Sequence, residues 1–262
     1  MKYRCRTCGK HFNVRTNTFL HGTRIPLSKW VYAIYLMCTN IKGVSSMRMY
    51  RELNVRQPTA WFLIHRIRQA MGILPHGDEK FSGEVEVDET YIGGKEINRH
   101  ASKKLRKGRG TVGMKPVIGI KHRETGYIKA KVIDDTIRET LQGFIKENVA
   151  IRSQVYTDEA LAYKNLVELD FKHESVKHSV GEYVKKKAST NGIESFWAMV
   201  KRGYVGTYHR MSFKHLHRYV VEFAGRHNIR KFDTLVQMGM IVRNMTDKHL
   251  PYKELIKESK KK

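Results

Sequence analysis

Apolar positions change their period along the chain, and each change marks an element. After Pro26-Leu27-Ser28 they recur at helical spacing through Met37, with Ser28 in the capping position. Cys38 closes this run and reads as a small core residue. Val44–Leu53 predicts a short helix, Asn54–Gln57 a turn, and Pro58–Met71 a second helix whose core face is Trp61, Ile64 and Ile67. At Gly83 the period drops to two. Val85 and Val87 fall on one face and Glu84, Glu86 and Asp88 on the other, until Gly93-Gly94 ends the strand. Lys115–Lys121 and Tyr127–Ile133 are two further strands around the turn Arg123–Gly126. Thr136–Val149 is helical by the spacing of Ile137, Leu141, Phe144 and Ile145. Gln154–Asp158 is a short strand and Glu159–Leu169 continues as helix. His173–Lys177 is a fifth strand and Asn191–Lys201 a last helix. Three strands, helix, strand, helix, strand, helix is an α/β layout, a mixed sheet flanked by helices and preceded by a small all-α module.

Charge divides the same chain differently. Fifty Lys plus Arg against twenty-five Asp plus Glu leave +25 over 262 residues, which points to a polyanionic partner. Residues 1–77 hold thirteen Lys or Arg and one acid, Glu52; carboxylates become regular from Asp78. The expected segments are a partial zinc ribbon over 1–25, a helix-turn-helix module over 26–77, a mixed-charge α/β domain over 78–242 and a basic tail over 243–262. Three cysteines are too few for a disulfide framework and fit a reducing cytosol. No run approaches the ~18 uninterrupted apolar residues of a membrane span, and the start lacks a signal-peptide pattern. Aromatics at 10% argue against disorder.

In the front module, Cys5-Arg6-Thr7-Cys8-Gly9 has the spacing that presents two thiolates to one tetrahedral zinc ion. Four ligands are needed; His11 and His21 are candidate stand-ins, and two reduced thiols are the alternative. The paired helices read as a helix-turn-helix, with Arg56, Gln57 and Thr59 placed to reach base edges or phosphates; an ordinary basic bundle is the alternative.

In the second domain the acids carry the signal. Asp88 lies on the first strand, Asp158 ends the fourth, and Glu194 sits in the first turn of the last helix. If the first and fourth strands are neighbours, the two aspartates stand side by side under Glu194. Three carboxylates in one cleft repel strongly unless divalent cations neutralise them, and two Mg²⁺ or Mn²⁺ ions ~3.5–4 Å apart suit phosphodiester displacement. Lys201, two helical turns after Glu194, shares its face, placed either to hold a phosphate or simply as a solvated lysine. Asn191 reads as a helix cap and Trp197 as core. Arg99–Arg109, with Lys103, Lys104, Arg106, Lys107 and Arg109, is a basic loop able to clamp DNA beside Asp88; a solvated charge run is the alternative. Tyr204–Arg210 and His215–Arg230 read as a basic, aromatic-rich segment packed on the last helix with Arg and His outward.

The runs Val87-Asp88-Glu89-Thr90-Tyr91-Ile92-Gly93-Gly94-Lys95, Val155-Tyr156-Thr157-Asp158-Glu159-Ala160 and Thr190-Asn191-Gly192-Ile193-Glu194-Ser195-Phe196-Trp197, followed by Lys201-Arg202-Gly203, resemble bacterial insertion-sequence transposases. More narrowly, the chain resembles the zinc-ribbon DDE group related to the eukaryotic Merlin elements, over nearly its whole length. That resemblance implies a ribonuclease H-like fold, with Asp88, Asp158 and Glu194 as the metal-binding triad and Lys201 and Arg202 contacting DNA. It also implies cleavage at element ends followed by strand transfer, by a homodimer or larger synaptic complex acting on transposon-end and target DNA. The location it implies is the cytoplasm, at the nucleoid, with no membrane partner. The other readings are a DNA-binding regulator or inactive relic, and a structure-selective nuclease on the same fold.

Overall fold

The alternation at Val85 and Val87 builds the centre of a five-stranded sheet. The computed structural model describes residues 3–75, 77, 79–98, 100–105, 110–176 and 189–257. It divides into two compact units, 1–73 with 229–262, and 74–228.

The first unit begins with a two-stranded hairpin, β1 (Tyr3–Arg4) against β2 (His11–Phe12). Its helices are α1 (Leu27–Thr39), α2 (Ser46–Leu53) and α3 (Gln57–Ala70). Helix α1 starts one residue ahead of the expected cap. Pro26 occupies the cap position, its carbonyl accepting from Lys29 and Trp30 N–H, and Ser28 lies inside the helix. Ser45 caps α2 by accepting from Arg48 N–H at 3.2 Å, and Asn54 ends it in the left-handed conformation. Ile64, Ile67 and Cys38 are buried as expected, while Trp61 is half-buried with its edge to His65.

The expected boundary at 242 does not hold. Ile229, α7 (Thr234–Arg243) and α8 (Tyr252–Ile256) belong with the first unit, whose core takes Ile241, Met245, Leu250 and Leu255 alongside Phe19, Trp30 and Leu63. Backbone bonds tie this segment down: Phe19 N–H to Met245 O at 3.1 Å and Asp247 N–H to Asn17 O at 2.9 Å. The buried Arg66 guanidinium donates to the carbonyls of Phe19 and Leu250. Residues 243–257 are therefore packed chain rather than the separate basic tail expected, because their apolar side chains complete a core that α1–α3 leave open.

The second unit holds β3 (Glu84–Ile92), β4 (Lys115–His122), β5 (Ile128–Val132), β6 (Gln154–Asp158) and β7 (Lys172–Val176), in the spatial order β5-β4-β3-β6-β7. The first three strands are antiparallel neighbours, and β6 and β7 add in parallel. With helices on both faces this is the ribonuclease H-like mixed sheet that the sequence resemblance implies. Helix α4 (Arg138–Asn148) covers the face of Val85, Val87, Ile118 and Val155. Helices α5 (Asn191–Gly203) and α6 (Leu216–Ile229) cover the other, through Ile193, Trp197, Val220 and Phe223.

Between β6 and β7 the expected helix over 159–169 is replaced by two 3-10 turns, Leu161–Tyr163 and Leu166–Leu169. Asn165 between them has φ 73°, and the carbonyls of Ala162 and Lys164 accept from the Gln142 side chain instead of a helical ladder. On α6, Arg226 turns inward to pair with the fully buried Glu222, and His215 before it is buried, against the outward placement expected.

Candidate active site

The site grows out of the register between β3 and β6. Glu84 pairs with Gln154, Val85 with Val155 and Glu86 with Tyr156; two residues further along, Asp88 comes level with Asp158. Aligned residues on parallel strands share a face, so both aspartates point to the side covered by α5. On the other side of Asp88 its partner is Gly119, and the indole of Trp197 lies over that glycine. A Cβ there would stand 2.6 Å from Trp197 Cζ2, so the bare backbone lets α5 lie close on the sheet. Trp197 is buried, as the sequence implied.

Glu194 sits in the first turn of α5, exposed to solvent, its Oε1 accepting from Thr190 Oγ1 at 2.6 Å. Asn191 is the first helical residue and not the cap; Thr190 precedes it, and neither supplies a side-chain cap. Burial pushes the Asp88 carboxyl up to about 7. The Glu89 backbone N–H pulls it back, the charges of Asp158 and Glu194 raise it further, and Lys201 lowers it. All three sequence-predicted partners therefore lie within electrostatic reach of Asp88. Lys201 and Arg202 are exposed on α5.

Alternation turns Glu89 to the opposite face, where Tyr163 donates a short hydrogen bond to its Oε1. Burial pushes Glu89 up to about 7 against that bond, helped by Asp158 and Asp88, and raises Tyr163 well above 10. Nothing in the local sequence pattern around Glu89 marks its buried tyrosine partner, which lies seventy-four positions away.

The donors around Asp88 are all carboxylate oxygens, the chemistry that suits Mg²⁺ or Mn²⁺. The electrostatic strain on Asp88 fits a cation there. Among the described residues, no three His, Cys, Asp or Glu side chains are arranged to hold an ion jointly. Cys5 and Cys8 flank the β1–β2 turn, where backbone N–H groups of Cys8 and Thr7 lower the Cys5 thiol. They form a thiol pair without third and fourth ligands among the described residues; His11 is exposed on β2 and His21 stacks edgewise on His249.

A cleft of about 590 Å³ opens where β3 and α5 run on beyond the acids, lined by Gly94, Asn98, His100, Lys103, Tyr204 and Arg210 among others. Lys104 is exposed outside its lining. Arg99, Arg106, Lys107 and Arg109 lie outside the described residues. In the first unit, Arg56 is exposed at the start of α3 and Thr59 half-buried, while the Gln57 amide donates to Ser46 Oγ at 2.9 Å, tying α3 to α2.

The profile of the ISXO2-like transposase domain matches residues 80–228, the span that contains this whole site. The chain belongs to the ISXO2-like transposase family. This transposase is 32% identical over 216 residues to an uncharacterized protein in transposable element ISH50 of Halobacterium salinarum, a match covering 77% of the chain and 70% of that protein. Among solved structures, it is similar to a chain in the cryoEM structure of the simian T-cell lymphotropic virus intasome in complex with PP2A regulatory subunit B56 gamma. That likeness has 12% identity and a TM-score of 0.33, and spans 74% of the transposase and 64% of the viral chain. No helix among the described residues is long and apolar enough to cross a membrane.

Proposed function

We infer that this transposase binds the ends of its own insertion sequence and uses Asp88, Asp158 and Glu194 to cut and transfer DNA strands. The observation that carries the reading is Asp88 itself. It stands level with Asp158 on the neighbouring parallel strand, and the charges of Asp158, Glu194 and Lys201 all act on it. Asp88 and Asp158 would hold a pair of divalent cations, with Glu194 completing the set. When bound, such ions supply Lewis acidity to the phosphorus under attack and to the departing oxygen.

The chain's own groups do the positioning. Lys201, on the exposed face of α5, steadies the phosphate, with Arg202 beside it. Lys103 in the cleft and Lys104 next to it hold the DNA backbone, as do Arg106, Lys107 and Arg109 of the same loop. A water oxygen attacks phosphorus at the element end, and the P–O3′ bond breaks to leave a 3′-hydroxyl. That hydroxyl attacks a target phosphodiester and displaces the target's 3′ oxygen, so one bond forms for each broken and no ATP is consumed. The helices near the start of the chain, within residues 1–77 that carry thirteen Lys or Arg to one acid, supply end recognition through Arg56, Gln57 and Thr59 on a helix-turn-helix. Two ends must meet, which calls for a dimer or larger synaptic assembly.

Strand cleavage and transfer of a supercoiled plasmid carrying the element ends, with Mg²⁺ or Mn²⁺, tests this. Wild type should nick and join at the ends, and Asp158→Asn should do neither while still binding them. Equal inactivity of both proteins with end binding retained would favour a DNA-binding regulator. Cutting of branched DNA without preference for the ends would favour a structure-selective nuclease.

A further inference from the structure

Glu86 is a carboxylate where a strand facing a packed helix calls for an apolar side chain. It lies two residues before Asp88 on the same face of β3 and is 5% exposed. Its Oε2 accepts the backbone N–H of Ile193 at 2.9 Å, within the first turn of α5, and its Oε1 accepts from Arg123 Nε at 3.0 Å. The helix lacks a side-chain cap of its own, since the hydroxyl of Thr190 is directed to Glu194 Oε1. A carboxylate from the neighbouring strand takes that place, where the helix dipole favours negative charge.

Arg123 gathers the surrounding elements onto this contact. Its Nη1 donates to Glu84 Oε2 at 3.3 Å and its Nη2 to Ser189 O at 2.6 Å and Ser189 Oγ at 3.2 Å. Its Cζ lies 3.8 Å from the centroid of the Tyr156 ring on β6, and its own N–H donates to Glu84 O. One guanidinium thus joins β3, β6 and the residue leading into α5. Gly192 records how near the helix comes: a Cβ there would stand 2.5 Å from Glu86 Oε2 and 2.4 Å from Lys121 Nζ.

We propose that Glu86, held by Arg123, is a positioning residue that fixes the first turn of α5 and so sets Glu194 over Asp88 and Asp158. The proposal rests on the reading of Glu194 as a metal ligand. A residue that orients ligands in this way changes metal affinity by about 10–100-fold when lost, whereas a cap that serves stability alone leaves affinity untouched below the melting transition.

Mn²⁺ binding to the full-length protein, followed by isothermal titration well below the melting temperature, separates these roles. Glu86→Ala should weaken Mn²⁺ binding about 10–100-fold and slow end cleavage at saturating DNA, with DNA affinity unchanged. Glu86→Gln keeps an oxygen for the Ile193 N–H and should recover most of the Mn²⁺ affinity. If Glu86→Ala does not fold, Arg123→Lys carries the test, since an ammonium cannot reach Glu84, Glu86 and Ser189 together, and it should weaken Mn²⁺ binding in the same direction. Folded Glu86→Ala, or Arg123→Lys in its place, with wild-type Mn²⁺ affinity overturns the proposal. Glu194→Gln is the control. If it keeps wild-type Mn²⁺ affinity and cleavage, the reading of the site itself fails; if it loses both while Glu86→Ala loses neither, only the positioning role fails.

Discussion

Asp88 and Glu89 are neighbours on one strand that face opposite sides of the sheet, and burial pushes both carboxyls up to about 7 from ordinary values near 4. Each therefore keeps its proton in the folded chain at a pH where the unfolded chain has lost it. Between about 4 and about 7 the folded state binds more protons, so these groups make stability fall as pH rises across that window. Below it both states are protonated and above it both are ionised, and the slope from these two groups vanishes. In the presence of a chelator, Asp88→Asn should melt a few degrees above wild type at pH 7.5 and close to it at pH 4. Mg²⁺ or Mn²⁺ should narrow the gap at pH 7.5 by neutralising the wild-type cluster. Thermal melts at the two pH values decide it; a wild type that stays the more stable protein at pH 7.5 in chelator would show that ionised Asp88 is not strained.

Helix α5 is the element on which the site depends, and its closeness to the sheet is set from beneath by glycine. With a Cβ at Gly119 only 2.6 Å from Trp197 Cζ2 and 3.1 Å from Ile193 Cδ1, Gly119→Ala forces the indole to shift. Overpacking of this kind costs about 1–3 kcal/mol, a drop of roughly 2–12 °C in melting temperature for a unit of this size. Because Trp197 lies one turn after Glu194 on the same helix, cleavage should fall further than DNA binding. A melt unchanged within a degree would contradict the tight seat. The strands were legible for the same reason that they pack: Val85 and Val87 alternate with Glu84, Glu86 and Asp88, and a two-sided sheet has no other way to sort them. The aspartate pair was legible through strand order. What caps α5 was not, because the Glu86 carboxylate reaches Ile193 across 107 positions of chain and leaves no local pattern. Residues 159–169 misled because Leu161 and Val167 complete an apparent apolar helix face, yet each is 67% exposed and only Tyr163 and Leu166 are buried.

At the scale of the whole molecule, the chain leaves its first unit after residue 73, builds the unit that carries the sheet, and returns at Ile229 to finish what it began. Composition conceals that return. The last residues are rich in Lys and read as a basic tail, while the few apolar ones among them are spaced too irregularly to announce a core contribution. Met245, Leu250 and Leu255 are nonetheless fully buried beside α1 and α3, and the Leu250 carbonyl accepts from buried Arg66. Ending the chain after Asn244 removes all three side chains and leaves Arg66 one partner short. Each lost leucine-sized side chain is worth about 2–5 kcal/mol in a packed core, a large part of the ~5–15 kcal/mol that holds a typical domain folded. The two units need not melt together, so calorimetry of the truncated protein should show the front unit's transition lost or lowered by more than ~10 °C. The transition of the unit spanning 74–228 should stay in place. Binding to the element ends should disappear with the front unit, while divalent-ion affinity at the carboxylates persists. Leu255→Ala should lower the same transition by less and keep end binding at low temperature. If truncation lowers both transitions equally, the C-terminal segment supports the unit spanning 74–228 as well; if it moves neither, these residues do not belong to the front unit's core.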